Sequence, residues 1–139
     1  MFTSTLQPIA QYREVGTITA VSQADPHQLV LLLFDGALAA VLQARHAVAT
    51  GDAPTRHTSI SRAMRIIDEG LKASVMSEAD PALADNLCGL YEHMVARLFT
   101  ANRHGSDEPL AEVLKLLGEL RSAWAEIAPA PVARVGVQA

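Results

Sequence analysis

The stretch that decides the fold runs from residue 80 to residue 103, DPALADNLCGLYEHMVARLFTANR. At about 100° per residue, Leu83, Leu87, Leu90, Tyr91, Met94, Leu98 and Ala101 fall on one face, all within roughly 60° of its centre. Such a face predicts an amphipathic helix packed on a core. Asp80-Pro81 marks its start, because the carboxylate can cap free amide groups and proline at the first helical position gives up no hydrogen bond. Asp25-Pro26 repeats the signal before another apolar run, and Asp107 with Pro109 does so more loosely. Working outward, loop-forming residues at Thr50–Pro54, Ser77–Pro81 and His104–Pro109 cut the chain into four similar segments. The pattern predicts helices near 26–49, 57–75, 81–103 and 108–127. Ile60, Met64, Ile67, Leu71 and Val75 form the core stripe of the second, and Leu110, Leu114, Leu117 and Trp124 that of the fourth, with Arg121 beside it, placed to snorkel outward.

Helices of about twenty residues joined by short connections pack antiparallel to their sequence neighbours. The expected fold is therefore all-α, an antiparallel up-down four-helix bundle over 25–128. Residues 1–24 carry Phe2, Leu6, Ile9, Tyr12, Val15 and Ile18 interrupted by Pro8 and Gly16, and read as an N-terminal arm able to lie on apolar surface. Residues 129–139, Pro-Ala-Pro-Val-Ala-Arg-Val-Gly-Val-Gln-Ala, stop the last helix and read as a flexible C-terminal tail.

The 139 residues are 50% apolar and 4% aromatic, with a net charge of -4, enough for a core and too little charge for a disordered chain. The eleven Lys and Arg are scattered, which gives no footprint for nucleic acid or an anionic membrane. Met1–Glu14 lacks the layout of a secretory signal, and the apolar run Leu29–Phe34 is far shorter than the ~20 residues that span a bilayer. The single Cys88 allows no internal disulfide and fits a reducing compartment, so the expected location is the cytoplasm.

Catalytic constellations are missing from the pattern. Di-metal bundles need Glu-x-x-His pairs, but the residue three after Glu92 is Val95, and His27, His46, His57, His93 and His104 fall on scattered faces or in loops. There is no C-x-x-C and no Gly-rich phosphate loop. Cys88 and His93 point about 140° apart on one helix, so they cannot act as nucleophile and base. Asp35, off the expected core stripe, reads as an exposed carboxylate. The sequence thus predicts no cofactor, no metal and no enzyme.

What the sequence has in excess is apolar surface on the first helix. One core stripe there uses Leu29, Leu32, Leu33, Gly36, Ala40 and Ala47, yet Val30, Leu31, Phe34, Leu38, Val41 and Val48 are apolar too. Phe34 and Leu38 lie about 140° and 180° from Leu29, so if Leu29 faces inward they face out. A lesser surplus on the third helix joins Cys88, Val95 and Phe99. Either the arm covers this surface, or it is a groove for a partner helix or peptide that the arm shields.

The order of motifs resembles a known family. Tyr12 is followed by Ser22-Gln23-Ala24-Asp25-Pro26, then Leu29-x-x-x-Leu33-Phe34-Asp35-Gly36-Ala37-Leu38 and Ile66-Ile67-Asp68-Glu69-Gly70-Leu71. Next come Asn86-Leu87-x-x-Leu90-Tyr91-x-x-Met94-x-x-x-Leu98-x-x-Ala101-Asn102, and finally Leu117 to Ala123-Trp124. Over residues 12–127 this resembles the FliS family of flagellar secretion chaperones. Two positions depart from it: Ser22-Gln23-Ala24-Asp25-Pro26 stands for the family's Thr-Ala-Ser-Pro, and Phe34 for the tyrosine of Leu-Tyr-Asp-Gly, which removes a hydroxyl. The resemblance implies a small helical bundle that binds the disordered C-terminal segment of flagellin, which becomes helical and wraps the chaperone. It also implies an N-terminal segment occupying part of the same surface in the free protein. On this reading Leu31, Phe34, Leu38 and Val41 meet the partner, Val95 and Phe99 contribute, and Tyr12 belongs to the displaceable arm. Asn86 and Asn102, which match family positions, are either hydrogen-bonding groups within the bundle or clamps on the partner's backbone. An export gate component or a regulatory protein docking elsewhere, a homodimer, and a homo-oligomeric bundle without flagellin binding all stay open.

Overall fold

The structure, a computed structural model, describes residues 25–75 and 80–127. The arm over 1–24, Tyr12 included, and the tail over 129–139 lie outside the described residues. All the described regular structure is helical, in four rods. Helix α1 is Pro26–Thr50. Helix α2 is continuous but changes pitch, running as α-helix over Ala53–Arg65, π-helix over Ile66–Lys72 and α-helix again over Ala73–Val75. Helix α3 is Pro81–His104 and α4 is Glu108–Glu126.

The caps explain these boundaries. Asp25 accepts from the Gln28 amide at 2.8 Å and Asp80 from the Leu83 amide at 3.3 Å, as their Asp-Pro pairs predict. The Asp52 carboxylate accepts from the Thr55 amide at 3.2 Å, with Pro54 in the first turn, so α2 begins at Ala53, one turn before the expected residue 57. Asp107 makes no side-chain cap bond. Its carboxylate is turned to Arg45 on α1, which donates from Nε at 2.8 Å and from a terminal nitrogen at 2.9 Å. Gly105 closes α3 at φ 61°, a left-handed conformation costly for residues with a Cβ, and Gly51 follows α1 at φ 72°.

Contacts between rods fix the topology. Between α1 and α2, Gly36 meets Ile66 and Leu33 meets Gly70, so residue numbers rise along one as they fall along the other. Asp35 with Arg121 and Arg45 with Asp107 set α1 against α4 in the same sense. Arg97 with Glu108 and His93 with Glu112 do so for α3 and α4, and Lys72 with Glu92 and Arg56 beside Gly105 for α2 and α3. Each helix is antiparallel to both neighbours, which closes an up-down ring of four.

The core matches the expected stripes on α2 and α4 and most of that on α3. Ile60, Ile67, Leu71, Tyr91, Met94, Leu98, Ala101, Leu110 and Leu117 are buried, with Met64, Val75, Leu87, Leu90 and Leu114 packed half-buried against them. Burial pushes the Tyr91 phenol up to about 12, so it stays neutral. Leu83, expected inside, is exposed because it lies in the first turn of α3. Trp124 is half-buried against the core, not enclosed by it.

On α1 the expected register is wrong. The buried face is Phe34, Ala37, Ala40, Val41, Ala44 and Ala47, whereas Leu29 is only half-buried and Leu32 is 47% exposed. The expectation ranked residues by size. The alanines decide instead, because a helix face of small side chains leaves room for the large ones of its neighbours. By length and composition α1 could also cross a membrane, which the length of Leu29–Phe34 alone does not suggest, although six of its residues are buried in the bundle.

Because Phe34 and not Leu29 anchors α1, Phe34→Ala should cost about 3 to 5 kcal/mol in denaturant melting, while Leu32→Ser stays within about 0.5 kcal/mol of the parent. A small effect at Phe34 would return α1 to the expected register.

The charged seams carry a pH dependence. Hydrogen bonds from Arg45 hold the Asp107 carboxyl below its ordinary 3.8, and bonds from His93 and Arg97 hold Glu112 below 4.5. A depressed carboxyl stabilises the fold fully above its unfolded value and stops doing so as pH falls through the folded one. Arg45→Met should therefore melt lower than the parent at neutral pH, with the gap closing as pH drops below about 4. A gap that persists in acid would show the loss to be one of packing.

Candidate functional site

Leu31, Leu38, Leu42 and Arg45 are spaced by seven, four and three, which lines them along one side of α1. Asp35 and Arg45, near the two ends of this line, reach Arg121 and Asp107, so the line faces the α1–α4 seam. Leu31 and Leu38 are half-buried and Leu42 is 53% exposed. Beyond Leu42 the seam opens into a groove of about 400 Å3 lined by Leu42, Arg45, His46, Val48, Ala49 and Asp107. On α4, Gly118 lies between the two ion-paired positions, and a Cβ there would meet nothing within 4 Å.

The same spacing recurs on α3 with Cys88, Val95, Phe99 and Asn102. Glu92, three residues before Val95 and seven before Phe99, shares their side of the helix and bonds Lys72 of α2 at 2.9 Å, so this line faces the α2–α3 seam. The bond that Lys72 donates to Glu92 raises the Lys72 pKa, which keeps the ammonium charged. Phe99 is 57% exposed and Val95 half-buried. Asn102 is half-buried, with its side-chain oxygen enclosed and without a hydrogen-bond partner within the bundle. Asn86 is exposed near the start of α3.

The structure therefore divides the expected partner-binding residues. Leu31, Leu38, Val95 and Phe99 border solvent. Phe34, 2% exposed, and Val41, fully enclosed, are core residues whose side chains cannot meet a partner in this conformation. Their error follows from the register of α1. Tyr12 lies outside the described residues. Sequence reasoning passed over Leu42, although its place four after Leu38 and eleven after Leu31 is a usable signal, and over Leu32, which it had put in the core. Arg121, expected to snorkel, reaches Asp35, donating from Nε at 2.6 Å, so the carboxylate read as merely exposed holds a seam.

Because α1 and α3 are diagonal in the ring, and one line faces α4 while the other faces α2, the two apolar lines lie on opposite seams. One straight segment cannot cover both. Beside the first line Arg45 is paired with Asp107 and Arg121 with Asp35, each bond raising the arginine's pKa, and beside the second Lys72 is paired with Glu92. Among the described residues no group of three or more His, Cys, Asp and Glu side chains is gathered as for a metal ion. What this surface can do is bury apolar area against another chain.

Comparison with known proteins points the same way. The family model for the flagellar protein FliS matches residues 8–131. The flagellar secretion chaperone FliS of Salmonella typhimurium is 39% identical over 125 residues, covering 90% of this chain and 93% of the relative. The flagellar secretion chaperone FliSB of Pseudomonas aeruginosa is 40% identical over 119 residues, 86% of this chain and 94% of the relative. The FliS of Escherichia coli is 36% identical over 115 residues, 83% and 85% of the two chains. The family expected from the motifs is thus found by two kinds of comparison, over nearly the whole bundle and part of the arm: the chain belongs to the FliS family of flagellar proteins.

Proposed function

We propose that this chain is a flagellar secretion chaperone that acts in the cytoplasm, holding the C-terminal segment of flagellin, keeping it from premature polymerisation and delivering it for export. The relatives' names supply the flagellar secretion role. The observation that carries the binding mode is the pair of apolar lines, Leu31–Leu38–Leu42 and Val95–Phe99, on opposite seams of the bundle. A disordered client that folds on binding can reach both by wrapping. It loses about 1 to 2 kcal/mol of backbone entropy per ordered residue, so the apolar contact must be extensive, and two lines supply more than one can. The chaperone is a binding module without turnover.

The test is titration calorimetry of the full chain against a flagellin C-terminal peptide, with Leu42→Ser and Phe99→Ser singly and together. Both side chains are exposed, so melting should move by no more than about 0.5 kcal/mol per substitution. Binding of the double variant should weaken by about 2 kcal/mol or more if these are anchoring contacts. Parent-like binding of the double variant would remove the two lines from the interface. Failure of the parent to bind, with a scattering mass that rises with concentration, would assign them to self-association.

A further inference from the structure

We infer that the π-helical segment Ile66–Lys72, with Gly36 and Gly70, is a sliding joint that sets the position of α1, and that a client on the α1 line selects one of its seatings. This rests on the proposed reading of that line as a client surface. The π geometry covers seven residues, more than the single turn in which it mostly occurs, and π turns within α-helices recur at functional sites. A π segment acts as a local insertion, and the extra residue can be taken up at more than one place along the helix. Against this segment α1 seats through two reciprocal sockets. Ile66 of α2 rests on Gly36, where a Cβ would come within 3.3 Å, and Leu33 of α1 rests on Gly70, where a Cβ would come within 3.0 Å. Neither socket has a side chain of its own to block displacement.

The rest of α1 is suited to move. The backbones of α2 and α3, and of α3 and α4, run close together, whereas α1 meets its neighbours mainly through side chains. Its ties to α4 are the Asp35–Arg121 and Arg45–Asp107 pairs, whose long arginines can follow a shift. Leu33 lies between Leu31 and Leu38 in the chain, so any change of its seat is transmitted to the line the client contacts. The element with alternative arrangements and the binding surface are thus in direct contact, as conformational coupling requires.

The test uses the full chain, backbone hydrogen exchange and titration with a flagellin C-terminal peptide. In the free chain, amides of 66–72 should exchange at least about tenfold faster than those around Met94 and Leu98, and should slow when the peptide binds. Deleting Glu69, an exposed residue of the segment, lets α2 run as α-helix with its flanks in phase, and Gly70→Ala blocks the Leu33 seat at unchanged length. Each should fold yet bind the peptide about tenfold more weakly, within the usual span of conformational couplings. Leu33→Ala added to Gly70→Ala should restore binding. Slow exchange throughout 66–72, parent-like binding by both variants, or unfolding of both would overturn the joint. If the parent itself fails to bind, the client reading falls, and the exchange contrast in the free chain still decides whether the joint exists.

Discussion

Ala37, Ala40 and Ala44 on α1 share one buried cluster with Ile60, Ile67, Leu71, Met94, Leu98, Leu110 and Leu117 of the other three helices, and Ala47 is buried on the same face of α1. The bundle rests on this match of small against large. Four alanines on one face contribute little volume of their own, so the other helices can send their longest side chains under α1. Larger residues at those positions would lift α1, and overpacking of this kind typically costs about 1 to 3 kcal/mol. The same match frees the bulkier residues of α1. With alanine doing the packing, Leu32 and Leu42 stand in solvent and Leu31 and Leu38 at its border.

Charge settles which helices lie side by side. Ion pairs cross three of the four seams directly, α1–α4, α2–α3 and α3–α4, and the fourth is closed by the glycine sockets. Exposed pairs of this kind add little stability each, yet they disfavour arrangements that set like charges together. Asp107 shows how strongly position is valued: it sits where a cap belongs and is spent on Arg45 instead.

Four helices, their order and the stripes of α2, α3 and α4 were legible because each has one clear apolar face and an Asp, Pro or Gly at its ends. The register of α1 was not, since leucine, valine, phenylalanine and alanine surround it and periodicity cannot tell a face that packs by being small from one that binds by being large. Leu31 and Leu38, grouped with Phe34 and Val41 on sequence pattern, stand at the border of solvent, whereas Phe34 and Val41 lie in the core. The π segment left no trace in the sequence, because Ile60, Met64, Ile67, Leu71 and Val75 are spaced as an ordinary helix would space them. Arg121 and Asp35 stand 86 residues apart in the chain, and only the closing of the ring brings them together.

The placement of the two apolar lines on opposite seams has a kinetic side. A client held at both is a bivalent ligand: once one line is engaged, the other meets its target at high effective concentration, and retention exceeds what either contact gives alone. Each contact can nevertheless break by itself, so such a client can be peeled from one end without the whole interface opening at once. Firm retention at two contacts and stepwise release are then compatible in a single small bundle.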